Sequence, residues 1–145
     1  MSRALSTLGP VHTTNYTDTF IAVAEDCPVE AAEIPVAKAE PTIASLHHDL
    51  IAAAPYALTS DEVIFETYAI RSGISDDERD AAWGAFFAKG QPCLRSSPLG
   101  KRYGWGTHHD SLGRVALIAV GTEEYARLAA DPALAQTRAM RSRRA

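Results

Sequence analysis

Two strings of the form Ser/Thr-x-x-Glu most narrow what this chain can become: Thr59-Ser-Asp-Glu62 and Ser75-Asp-Asp-Glu78. The hydroxyl at the first position and the carboxylate at the fourth satisfy each other's orphaned backbone N–H groups, so each string marks the start of a helix. Behind the second, Ala82, Trp83, Phe86 and Phe87 recur at helical spacing, and Gly90 stands where a left-handed C-cap belongs. Those aromatics read as core anchors. Behind the first, Val63, Ile64, Phe65, Tyr68 and Ile70 fit a strand as well as a helix. The box, with acids placed to complement a helix dipole, selects a helix over Asp61–Arg71, broken by Gly73.

The remaining elements follow the same logic. Tyr16–Ala24 is apolar and β-branched, which predicts a first strand. Pro28, Pro35 and Pro41 then punctuate an acidic, irregular stretch. Thr42 is placed to cap a helix carrying Ile43, Leu46, Leu50 and Ile51 on one stripe, ended by Pro55. Tyr103–His109 and Arg114–Val120 read as an antiparallel hairpin joined by Asp110-Ser-Leu-Gly113. Thr122 caps a further helix with Tyr125 and Leu128 on its apolar face, and Asp131-Pro132 predicts a short helical restart. One early strand, several helices and a late hairpin do not alternate as strand–helix–strand. The expected fold is therefore α+β, a small, mainly antiparallel sheet whose C-terminal-half hairpin packs against several helices.

A chain of 145 residues is the size of one domain. The expected organisation is an N-terminal extension over 1–10, a single domain over 11–137 and a basic tail over 138–145. Charged residues make up 22% and hydrophobic residues 46%, which excludes a disordered or membrane class on composition. No apolar run approaches the roughly 18 residues of a membrane span. The opening MSRALSTLGP lacks the pattern of a secretion signal, so a cytoplasmic location is expected. Cys27 and Cys93 form no C-x-x-C and read as free thiols. Charge is uneven: residues 1–88 hold 14 acids and 4 bases, whereas residues 89–145 hold 4 acids and 10 bases. This asymmetry fits an anion-binding C-terminal half, or opposite faces meeting across a homo-oligomer.

The segment Lys89–His108 carries Lys89, Arg95, Lys101 and Arg102 with no acid among them. Its glycines allow close backbone approach, its serines wrap anions, and arginine grips them bidentately. Arg95, Ser96, Ser97, Lys101, Arg102, Tyr103 and Trp105 are the candidate ligand-binding residues, for an anionic small molecule or a nucleic-acid phosphate. Tyr103 and Trp105 would share a strand face and stack bases, or seal the core. The competing reading is a structural loop in which Gly104 and Gly106 let another element pack closely. Cys93 beside Arg95 is a candidate nucleophile for a small thiol-dependent enzyme, with His108 or His12 as base. A buried, inert Cys93 is the alternative. His47 and His48 are helical neighbours and cannot chelate, and His108 and His109 alternate across a strand, so no metal site is expected. No Walker loop, dinucleotide fingerprint or nucleophile elbow occurs, so no cofactor is expected. Arg138, Arg141, Arg143 and Arg144 in the tail read as a nucleic-acid arm or a solubilising end.

Four strings in order resemble a known family: His12-Thr-Thr-Asn-Tyr16, Gly90-Gln-Pro-Cys-Leu-Arg-Ser-Ser-Pro98, Lys101-Arg-Tyr-Gly-Trp-Gly106 and Ala139-Met-Arg-Ser-Arg-Arg144. The resemblance is to small bacterial proteins grouped as a domain of unknown function, and it runs from His12 to the end. Family members begin close to the position of His12, which implies that residues 1–10 are an extension. The family pattern has a histidine matching His108 and no fixed partner matching His109. The resemblance implies no activity, cofactor or catalytic residue.

Overall fold

The N-terminal segment is fastened to the rest of the chain by one carboxylate. In the computed structural model, which describes residues 12–36 and 38–142, Asp61 is 7% exposed. Its Oδ1 accepts from Thr14 N at 2.6 Å and Thr14 Oγ1 at 2.7 Å, and its Oδ2 from Thr13 Oγ1 at 2.6 Å. Asp61 N in turn donates to Asn15 Oδ1 at 2.8 Å. His12 N donates to Phe87 O at 3.2 Å, so His12-Thr-Thr-Asn crosses two helix ends before the first strand begins.

That strand, β1 (Thr19–Ala22), is interior to a four-stranded sheet. The hairpin strands β2 (Trp105–His109) and β3 (Val115–Ala119) extend the sheet on one side, in the order β3-β2-β1-β4. β4 (Ala135–Arg138) lies on the other side, parallel to β1, while the remaining pairings are antiparallel. The α+β class and the hairpin stand as expected. The hairpin loop is set by Asp110, whose Oδ1 accepts from Leu112 N and Arg114 N, and by Gly113 at φ +80.

Helix α1 (Ile43–Ala53) is capped by Thr42 and α2 (Ser60–Ser72) by Thr59, each with a reciprocal capping box. Gly73 closes α2 at φ +67. The choice of helix over strand for this segment is therefore correct. Ser75 opens a 3-10 turn, Asp76–Glu78, that runs into α3 (Arg79–Phe86). Hydrogen bonds from Ser75 hold the Glu78 carboxyl below its ordinary range. Phe87 is buried with Phe65 and Ala69, and Ala82, Trp83 and Phe86 pack against that cluster.

Alternation along the strands divides the molecule. Val115 belongs to a cluster with Ile51 of α1 and Val63 of α2, against which Leu117 packs. Phe20 and Ile118 face the opposite way, onto Leu128 of α5 (Glu123–Ala129). On β2, Trp105, Thr107 and His109 thus face α1 and α2, whereas Gly106 and His108 face α5. A Cβ on Gly106 would lie 3.0 Å from Ile21 O, Phe20 Cζ and Tyr125 Cε2, so only glycine admits this close packing. That supports the structural reading of Gly106.

Four expectations are corrected. Gly90 is not a left-handed cap, because α3 ends at Phe86 and Phe87 N already donates to Trp83 O. Within Lys89–His108, for which a structural loop was the competing reading, a 3-10 turn, Leu94–Ser96, leads into α4 (Pro98–Arg102), capped by Ser97 with proline at its start. Tyr103 ends α4 instead of opening β2, so it does not share a strand face with Trp105. Asp131-Pro132 makes a turn, not a helix, with Asp131 Oδ1 accepting from Ala133 N. β4 follows because it pairs the free edge of β1, with Ala135 N on Asp18 O and Ala139 N on Ala22 O, both at 2.8 Å. Arg138 is consequently strand and Ala139 is buried, so the basic segment begins as part of the sheet. Residues 1–10, read as an extension, lie outside the described residues.

Removing the Asp61 carboxylate takes the acceptor from the buried Thr14 N–H and hydroxyl and from the exposed Thr13 hydroxyl. Asp61→Ala should cost about 3 kcal/mol or more, read as a lower urea midpoint at unchanged slope. A loss under about 1 kcal/mol would mean the segment is held elsewhere.

Candidate functional site

Two helices present one side chain per turn to a common space. Ile43 and His47 of α1 are four residues apart, and Ile64, Thr67, Tyr68 and Arg71 of α2 follow the spacing of a single helical face. Between these faces, Phe86 and the segment Pro92–Pro98 lies an inner cleft of about 370 Å³. An outer cleft of about 630 Å³ lies beside it, lined by Lys38, Glu40, Thr42, Arg71, Arg102 and Tyr103 among others. Ile43, Arg71 and Pro98 line both. The first space has mostly apolar walls. The second gathers Lys38, Arg71 and Arg102 against one carboxylate, Glu40. Among the described residues, neither Lys101 nor Arg102 makes an ion pair.

Inside the inner cleft, His47 and Ser97 form a buried pair with Nδ1 and Oγ 2.8 Å apart. Ser97 is held there because its Oγ also accepts Leu99 N at 3.2 Å, as the cap of α4. Burial pushes His47 down to about 4. Cys93 shares the wall, with Sγ 3.2 Å from Tyr16 Oη. Burial first, and the neighbouring thiol second, raise Tyr16 to about 12, so it stays a neutral phenol. Ser96 Oγ donates to Met140 Sδ at 3.2 Å.

The expected site residues are thus divided. Ser96 and Ser97 line the inner cleft with Cys93, and Arg102 and Tyr103 line the outer one. Arg95 turns to the end of β4, its Nε donating to Arg138 O at 2.6 Å while its carbonyl accepts Met140 N at 2.8 Å. Trp105 Nε1 donates to Glu33 O at 2.8 Å, and its ring lies against His48. Lys101 is half-buried and lines neither cleft.

Of the groups considered for thiol chemistry, Cys93 and His108 lie on opposite sides of the sheet. His108 Nδ1 is bonded to Tyr56 Oη at 2.8 Å on the α5 side of the sheet. Cys93 bonds Tyr16, whose ring meets His109 on the other side. His12 contributes its backbone N–H to Phe87 O.

Neither His47 nor Arg71 is among the candidate ligand-binding or catalytic residues that the sequence suggests. The available signal was position: His47 falls four residues from both Ile43 and Ile51, on the apolar stripe of α1, and Arg71 ends the stripe of α2. Among the described residues no group of three or more His, Cys, Asp or Glu side chains is arranged to hold a metal, and no helix is long and apolar enough to cross a membrane.

What these elements define is an α+β domain with a two-part cleft between its helical face and the segment that follows α3. The chain belongs to DUF6157, a family of unknown function, whose model matches residues 11–145. Neither the curated proteins nor the solved structures searched give a match.

His47 and His109 are both buried and both pushed down to about 4, His109 by burial and then by His108. Unfolded, each would take up its proton near 6.5. Between those values the unfolded chain binds more protons, so stability falls as pH drops through that window. From pH 7 to pH 5 each should cost about 2 kcal/mol. Urea unfolding at both pH values checks the loss, and ring proton shifts check the cause. Titration of either ring near pH 6.5 would overturn it.

Proposed function

We propose that this domain binds a small organic anion with an apolar body. The body occupies the inner cleft and the charged head meets Arg71 and Arg102 in the outer one. The observation that carries this reading is the sharing of Ile43, Arg71 and Pro98 by an apolar space and a cationic one. The inner volume of about 370 Å³ lies within the range of small-molecule sites. An arginine at the junction supplies a charge-assisted pair without forcing a carboxylate into the apolar part. A nucleic-acid backbone fits less well, since it needs cations on an open face. Here Arg95 is committed to the Arg138 carbonyl, and the exposed Arg71 and Arg102 share their cleft with Glu40.

Octanoate and 1-octanol separate the two contributions in a calorimetric or NMR titration. Octanoate should bind at least about ten-fold more tightly, and Arg71→Glu should remove that advantage, in line with the worth of a hydrogen bond to a charged group. The advantage should shrink with added salt. Equal binding of acid and alcohol, or an Arg71→Glu protein that still prefers octanoate, would overturn the proposal.

A further inference from the structure

His47 carries a hydrogen-bond donor that no atom of the described residues answers, and Ser97 shows which atom it is. Ser97 is 4% exposed, and its Oγ already accepts Leu99 N. A buried hydroxyl needs an acceptor for its own proton, and His47 Nδ1 at 2.8 Å is the acceptor in reach. Ser97 O–H therefore donates to Nδ1, and the proton of the neutral imidazole sits on Nε2. Among the described residues Nε2 has no hydrogen-bond partner. It is also not sealed in, since the enclosed, unpaired side-chain atom among those residues is His109 Nδ1. His47 is 7% exposed and lines the inner cleft, so Nε2–H opens there.

Water can answer this donor while the cleft is empty. A ligand that displaces the water without replacing its oxygen loses affinity. The walls also limit what that oxygen can belong to. A hydroxyl would bring a proton of its own, for which a further acceptor must be found, whereas a carbonyl oxygen answers the donor and asks for nothing more. A second carboxylate would bury charge beside a neutral ring.

We infer that the ligand of the inner cleft carries a carbonyl oxygen on its apolar body, separate from its anionic head, and that His47 Nε2–H binds this oxygen. The class is an oxo-carboxylate, with His47 as the specificity-determining residue and Ser97 as the residue that positions its proton. The head group rests on the anion reading above. The carbonyl does not.

The test titrates the full chain, with its histidine nitrogens labelled, against 4-oxopentanoate, 5-oxohexanoate, 6-oxoheptanoate and 7-oxooctanoate. Their unsubstituted parent acids and the neutral 2-octanone complete the panel. At least one oxo acid should bind about ten-fold more tightly than its parent, the worth of one buried donor answered or left open. The same acid should move the His47 Nε2–H resonance, and His47→Phe should erase its advantage over the parent acid. Because Nε2 is read on the unmodified protein, a variant that fails to fold leaves the answer intact. Oxo acids and parents that tie while both outbind 2-octanone would overturn this inference and leave the anion reading standing. A 2-octanone that moves Nε2 while carboxylates gain nothing would sustain the carbonyl and remove the anion. Absence of binding by every probe, or a proton found on Nδ1, would overturn the inference.

Discussion

The buried Asp61 carboxylate is the constraint on which the rest of the architecture leans. It sits at the start of α2, where the dipole and free N–H groups favour a negative charge. It spends its oxygens on Thr13 and Thr14 instead of on its own helix. The consequence reaches well beyond that corner. With Thr14 held, Tyr16 is delivered against Cys93 and His109, and β1 enters the sheet with Phe20 on the α5 side. The Thr59 box fixes where α2 begins, and so fixes the turn on which Asp61 stands. Local capping and a long-range tether therefore agree on one register, the kind of consistency that makes a fold unique.

The cleft follows from the same arrangement. α1 and α2 pack on the sheet through Ile51 and Val63, nearer the loop that joins them, and Leu94 closes that cluster. Toward the start of α1 and the end of α2, Ile43, His47, Tyr68 and Arg71 instead face the Pro92–Pro98 segment across a gap. A buried polar pair, His47 with Ser97, occupies a place where two apolar side chains would pack more cheaply.

Much of this was legible in the chain. The capping boxes, the apolar stripe of α1, the Thr122 cap and the hairpin turn are local signals, each set by a few adjacent residues. β4 was not, because Ala135-Gln-Thr-Arg138 has no apolar alternation and is a strand only because β1 offers it an unpaired edge. α4 carried its Ser-Pro start signal, but five residues with a glycine inside leave little periodicity to read. At the site, the basic segment drew attention by charge, and charge says nothing of direction. Arg95 turned to a backbone carbonyl. His47 was passed over as half of an adjacent pair, although its place on an apolar stripe marked it as buried.

The position of β1 has a consequence for how this molecule is made. The strand is interior to the sheet, yet both its neighbours lie far along the chain: Thr19 pairs with His109 on one side and with Ala135 on the other. During synthesis the strand emerges with neither flank available, and the last pairing becomes accessible only when residues 135–138 have left the ribosome. Assembly of the sheet is therefore a closing event, and a chain stopped before residue 135 would retain a bare internal edge, the surface through which unfinished β-proteins adhere to one another.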